Sequence, residues 1–170
     1  MRKCGMCSAC CRWPSVAEID KPAREPCRFL HRRGFRCTIY SDRPKMCADY
    51  RCSWIRGIGA VKDRPDTSDI LIDRRMTKWG YCLVAKQLKL GAAMTAKGGH
   101  TLKRAGRDSG MLVLVVDFDD SDLVIGAAGP SNLVEDFQKE TCGLQVPVGT
   151  FSHYVDDIVE KAGEGIWPGM

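Results

Sequence analysis

CGMCSACCRW, residues 4–13, places Cys4, Cys7, Cys10 and Cys11 within eight positions. Thiols this close are oxidised to disulfides, ligated to metal or held reduced for chemistry. The density continues outward from that stretch. Cys27, Cys37, Cys47 and Cys52 follow, so eight of the ten cysteines lie in the first 52 residues and only Cys82 and Cys142 lie beyond. Over residues 1–56 there is little helical or strand period. Pro14, Pro22, Pro26 and Pro44 break the segment into short loops, with a helical turn expected near 28–33. A segment with so few Leu, Ile and Val side chains has no core of its own and needs a staple. The reading is an α+β protein in three parts: a Cys-rich metal-binding module over 1–56, a connector over 57–69, and a small α+β body over 70–170. In this reading the irregular, metal-stapled module packs on a body built from a β-hairpin and C-terminal helices.

Composition narrows the class. The 170 residues are 44% hydrophobic, enough for a core and too apolar for wholesale disorder. No apolar run approaches the roughly 20 residues of a membrane helix. No apolar segment of signal-peptide type follows Met1-Arg2-Lys3. A soluble cytoplasmic protein with no membrane partner is therefore expected, and a reducing compartment disfavours structural disulfides. Charge is lopsided: residues 1–56 hold thirteen Lys/Arg against five Asp/Glu, and the remainder thirteen against sixteen.

Patterning beyond residue 57 is globular. GIGAVKDRPDTSD (57–69) carries Gly57, Gly59, Pro65 and Asp66, as connectors do. ILIDRR (70–75) reads as a strand, and YCLVAKQLKLG (81–91) as a strand or a short helix ending at Gly91. KGGHTLKRAGRDSG (97–110), polar and rich in glycine, is expected to be a loop. MLVLVVDF (111–118) and DLVIGAA (122–128) are β-branched runs that predict two strands in a tight hairpin. Asn132 and Glu135 stand in capping-box spacing for a helix over NLVEDFQKE. Thr150 would cap a second helix, closed by Gly163.

A C-x2-C step lets two thiolates of one short turn face a single metal while backbone N–H groups turn toward the sulfurs. Three cysteines at successive C-x2-C steps resemble the first three ligands of a bacterial ferredoxin-type run, completed by a remote fourth. The vicinal pair Cys10-Cys11 is expected to splay, one thiol serving the first site and the other a second ligand set. Eight thiolates suffice for two four-sulfur sites, or for one site plus redox or structural thiols. The arginines of the module (Arg2, Arg12, Arg28, Arg32, Arg33, Arg36, Arg43, Arg51) would offset the negative charge of such centres and favour thiolates. Soft thiolates suit zinc and iron–sulfur clusters alike. The triple run favours an iron–sulfur cluster of the [4Fe–4S] type. The regular spacing of Cys27, Cys37, Cys47 and Cys52 equally suits Zn²⁺.

These residues resemble a known family. CGMCSACCRW, the EID-KP stretch at 18–22, Cys27 and CTIYSDRPKMCADYRC at 37–52 are similar to the bacterial cysteine-cluster family typified by CxxCxxCC and described as a zinc- or iron-chelating domain. The stretch C-x-I-Y-x-x-R-P-x-x-C sits here as Cys37, Ile39, Tyr40, Arg43, Pro44 and Cys47. The resemblance covers about the first 55 residues. It implies that Cys4, Cys7, Cys10, Cys11, Cys27, Cys37 and Cys47 form the metal-binding set, with Cys52 as an eighth. A related cysteine-rich region occurs in flagellin lysine methylases, but residues 57–170 hold no equivalent of their methyl-transfer region. From the residues themselves, Arg43-Pro44 reads as a turn that presents Cys47, with Arg43 hydrogen-bonding back to loop carbonyls or to a sulfur.

Other residues read as structural. Cys82 and Cys142 are expected in the core and His31 at the surface; His100 and His153 have no nucleophile nearby in sequence. Asp117, Asp119, Asp120 and Asp122 are read as an acidic hairpin turn, and Gly57-Ile58-Gly59 lacks the strand and third glycine of a nucleotide-binding turn. Three functions follow. The first is a metal-binding protein with a redox or structural role and an electron-transfer or protein partner. The second is a basic nucleic-acid-binding module shaped by zinc, in which Trp13, Phe29, Phe35, Tyr40, Tyr50 and Trp54 interleave with arginine; charge compensation of the cluster is the preferred account of that pattern. The third is a metal-dependent enzyme with its site between module and body, although no acid, base and nucleophile set is visible.

Overall fold

The structure, a computed structural model, describes residues 2–77, 80–116, 118 and 124–142. Its centre is a four-stranded mixed sheet in the order β1-β2-β3-β4, formed by β1 (Ile70–Thr77), β2 (Gly80–Gln87), β3 (Val113–Val116) and β4 (Val124–Ala128). β1 and β2 pair antiparallel, with Ile70 opposite Gln87 and Thr77 opposite Gly80. β3 and β4 are also antiparallel, as the hairpin reading predicts, with a register shift between Val115 and Val116. β2 and β3 run parallel, Leu83 opposite Val113.

That parallel pair corrects the reading of residues 97–110. Parallel neighbours cannot be joined by a tight turn and need a crossover, usually a helix. The polar, glycine-rich stretch supplies it. Four helices occur in chain order: α1 (Lys45–Asp49), α2 (Pro65–Ser68), α3 (Ala96–Ser109) and α4 (Ser131–Cys142). Thr95 caps the crossover helix α3 by accepting a hydrogen bond from the Gly98 N–H (3.0 Å), and Gly110, at φ 66°, ends it. Its glycines are points of contact. A Cβ on Gly98 would lie 2.0 Å from the Ala92 carbonyl oxygen, and one on Gly106 would lie 2.5 Å from Gly129 Cα.

Strand alternation sorts the core onto two faces. Ile70, Ile72, Leu83, Ala85, Val113 and Val115 pack against Leu102 and Ala105 of α3. On the opposite face Leu114, Val116 and Val124 meet Phe137 of α4, with Cys82 buried among them as expected. Leu71, on that same side of β1, is covered instead by Ala9, Trp13, Cys52 and Trp54. Both faces of the sheet are therefore occupied, as a parallel central pair requires.

Three smaller expectations change. Residues 28–33 form turns rather than helix. Within 57–69 lie a 3₁₀ turn (Val61–Asp63) and α2, tied to α3 because Asp63 accepts from Arg104 Nε (2.7 Å) and from Thr101 Oγ1 (3.1 Å). Helix α4 begins at Ser131, one residue before the expected Asn132 cap, with the Pro130 carbonyl accepting from the Val134 N–H. The expected helix over 150–163, the acidic turn residues 117, 119, 120 and 122, His153 and the side chain of Cys142 lie outside the described residues.

Candidate metal centre

The first 56 residues are irregular, as their composition predicts. Besides α1 they hold single 3₁₀ turns at Ala9–Cys11 and Ala17–Ile19 and two isolated bridges, Val16 with Lys21 and Leu30 with Cys37. Anchoring to the sheet replaces a private core. Trp13 is buried and its indole N–H donates to the Gln87 carbonyl at 2.7 Å. The Ser53 N–H donates to the Ile72 carbonyl at 2.8 Å. The Tyr50 hydroxyl donates to Asp73, which also pairs with Lys86 at 2.7 Å. The Arg2 guanidinium lies 5.2 Å from the Trp54 ring centroid and donates to the carbonyls of Trp54, Ile58 and Gly59.

All eight predicted thiols are reduced. The backbone places them in two neighbourhoods. The Cys7 N–H donates to the Cys4 carbonyl at 2.9 Å, and Cys10 sits on the 3₁₀ turn directly after. Cys52 is buried in the cluster under Trp13 and Trp54, and Cys7 packs against the same cluster. In the second neighbourhood the Cys27 N–H donates to the Cys11 carbonyl at 2.8 Å, and the Leu30 N–H to the Cys27 carbonyl at 2.9 Å. Leu30 bridges to Cys37. Cys47 lies on α1, which follows Pro44 as the Arg43-Pro44 turn predicts; the Ala48 N–H donates to the Pro44 carbonyl. Arg43 stacks 3.9 Å from the Tyr40 centroid and donates to its carbonyl at 3.4 Å.

The electrostatics follow the same division. Burial pushes the Cys52 thiol up to about 11, opposed by the Ile55 backbone and reinforced by Cys4 and Cys7. Burial also raises Cys7, whose sulfur meets the backbone of Ala9 and Asp66. These are the backbone contacts to sulfur that a C-x2-C step predicts. Cys47 is raised by burial and then by Cys11, Cys27 and Cys37. Cys10 and Cys11 meet where the two neighbourhoods touch. Their thiols hydrogen-bond to each other rather than splaying, which raises Cys10 and draws Cys11 down to about 7 with help from Lys21 and Arg12.

Two residues that carry weight here have no marking in the cysteine pattern. Glu18 accepts from the N–H groups of Lys45 (2.9 Å) and Met46 (2.7 Å), placing a carboxylate at the start of the helix that carries Cys47. Lys21 is buried, donates to the Pro14 and Pro22 carbonyls, and faces Cys27, Cys11 and Cys47. Both belong to the EID-KP stretch, whose signal was two charges fixed between cysteines. Asp66, in the expected connector, also reaches Cys7.

The donor set fits a soft metal. Eight thiols lie in two groups, contacted by backbone and a buried cation, and Arg43 Nε is buried without a partner in the turn that leads to Cys47. An anionic thiolate centre would satisfy such a donor. Among the described residues, however, no group of three or more His, Cys, Asp or Glu side chains is arranged to hold a metal ion. Binding therefore requires the thiols to lose protons and draw together. His31 is exposed, its Nδ1 accepting from the Arg33 N–H, and His100 is exposed on α3. The aromatic residues are engaged internally: Trp13 and Trp54 are buried, and Arg28 and Arg43 lie over Phe29 and Tyr40. Between residues 53–59 and the body a cavity lined by Ser53, Trp54, Asp63 and Thr101 has room for about one water. No helix among the described residues is long and apolar enough to cross a membrane.

Comparison with known proteins finds no family model, no curated protein and no solved structure that matches this chain.

Proposed function

We propose that this is a metal-binding protein whose N-terminal cysteines hold an iron–sulfur cluster of the [4Fe–4S] type, in a redox role. The single observation that carries the reading is the gathering of eight reduced thiols, from Cys4 to Cys52, into contiguous neighbourhoods against a buried lysine and the sheet. Free cysteines without a ligand do not normally cluster in this way. The resemblance to the CxxCxxCC family supports the reading on cysteine spacing alone. A bound cluster supplies one-electron chemistry; the chain orients the sulfurs, directs backbone groups at Cys7 and Cys52, and excludes water with Trp13 and Trp54.

Zinc is the second reading, favoured by the even spacing of Cys27, Cys37 and Cys47, and it would make the module structural. Elemental analysis and visible absorption of protein purified without oxygen and without a metal-affinity column separate the two. Iron with acid-labile sulfide and a brown colour is the expected result. Colourless protein with zinc establishes the second reading, and protein without metal removes both.

A further inference from the structure

We infer that the eight cysteines divide into two separate four-thiolate metal sites: an inner site of Cys4, Cys7, Cys10 and Cys52 against the sheet, and an outer site of Cys11, Cys27, Cys37 and Cys47 around Lys21. This rests on the metal-binding reading above and assigns ligands within it. Four thiolates are what a structural zinc ion or a four-iron cluster takes, so each set is complete by itself.

The division comes from chain geometry. The Cys4–Cys7 hydrogen-bonded turn and the 3₁₀ turn after it hold three inner cysteines on one short loop, and Cys7 and Cys52 pack in one apolar cluster with Ala9, Trp13 and Leu71. The hydrogen bond from Cys27 to the Cys11 carbonyl and the bridge of Leu30 with Cys37 hold three outer cysteines on another loop. Glu18 fixes the helix that brings Cys47 to it. Cys10 and Cys11 are adjacent in sequence and are the one place where the sets meet.

The environments differ in kind. Inner sulfurs meet backbone from Ala9, Asp66 and Ile55, beside buried tryptophan. The outer set faces the Lys21 ammonium, which is fixed on two carbonyls. Two sites with different counter-charge retain metal independently.

The test is metal stoichiometry on the full chain, purified without oxygen, for wild type, Cys4→Ser and Cys27→Ser. These positions are exposed and half-buried, so neither substitution cuts into the sheet core. Each variant is expected to keep about half of the wild-type metal, and the double variant none. Circular dichroism checks that the sheet persists. Where a variant does not fold, Cys7→Ser or Cys37→Ser repeats the measurement for the same set. If either single substitution empties the chain, or wild type holds metal for only one site, the division is wrong while the metal reading stands. If wild type holds no metal, the metal reading itself fails.

Discussion

Gly98 and Gly99 are neighbours in the first turns of α3, yet alanine should have opposite effects at the two. At Gly98 the added Cβ would sit 2.0 Å from the Ala92 carbonyl oxygen, 2.9 Å from its carbon and 3.1 Å from Ala93 Cα. All three atoms are backbone, so no side chain can swing aside. The helix start must move by about 1 Å, which costs roughly 1–3 kcal/mol as overpacking. The same movement pulls the Gly98 N–H from Thr95 Oγ1, a cap worth about 1 kcal/mol. A total near 2–4 kcal/mol follows. At Gly99 nothing lies within 4 Å of the new Cβ, so Gly99→Ala should stabilise by about 0.5–1 kcal/mol through the unfolded chain. For a chain of this size about 1 kcal/mol moves Tm by roughly 2–4 °C. Thermal unfolding followed by circular dichroism, at matched metal content, should show Gly98→Ala lowered by about 5–15 °C and Gly99→Ala raised by a few degrees. Equal effects at both positions, or none at Gly98, would refute the close approach and return 97–110 to a loop.

Further outcomes follow from the buried polar contacts. Asp63→Asn should cost about 2–3 kcal/mol in urea unfolding at pH 7, because it breaks the pairing to an Arg104 that keeps some solvent contact. Burial pushes the Asp63 carboxyl up, but Arg104, the Ala60 N–H and Thr101 more than offset this and hold it below its usual range. That stability is present above the unfolded carboxylate value of about 3.9 and is lost as pH falls through the lower folded value, so wild type and Asp63→Asn should converge in urea unfolding near pH 3. Trp13→Phe should lose about 1–3 kcal/mol by leaving the Gln87 carbonyl unpaired, read from the urea midpoint. Tyr50→Phe should lose about 1–2 kcal/mol, measured in the same way, since Asp73 keeps Lys86.

The cysteines were legible because thiols are rare, and because several of them at C-x2-C steps suit metal ligation far better than packing. Strands β1, β3 and β4 were legible too, since Ile70, Ile72, Val113 and Val115 are β-branched and bounded by turn residues. The crossover helix was not. Gly98, Gly99 and Gly106 read as loop residues in a polar stretch, and what two of them serve, contact with Ala92 and Gly129, exists only in the folded chain. Without that helix, the parallel pairing of β2 with β3 could not be inferred. Glu18 and Lys21 were hidden for a related reason. Lysine and glutamate are usually solvated, and their roles depend on Cys47 and Cys27 folding back onto them.

The positive charge of the first 56 residues can now be assigned a physical role. Eight thiolates around two divalent ions, or two [4Fe–4S] cores of charge about +2, leave roughly −4. Against thirteen basic and five acidic residues this cancels about half of the excess. Much of the remainder is committed inside the fold. Arg2 and Arg24 lie against Trp54 and Trp13, Arg12 donates to the Gly34 carbonyl, Arg51 to the Ala48 and Tyr50 carbonyls, and Arg56 to the Arg51 carbonyl. A nucleic-acid platform needs open aromatic faces and uncommitted cations along one groove. Here arginines cover Phe29 and Tyr40, and the two tryptophans are closed against the sheet. The arginines are placed to hold turns together around an anionic centre, so removing the sulfur ligands should loosen the basic surface instead of exposing a binding face.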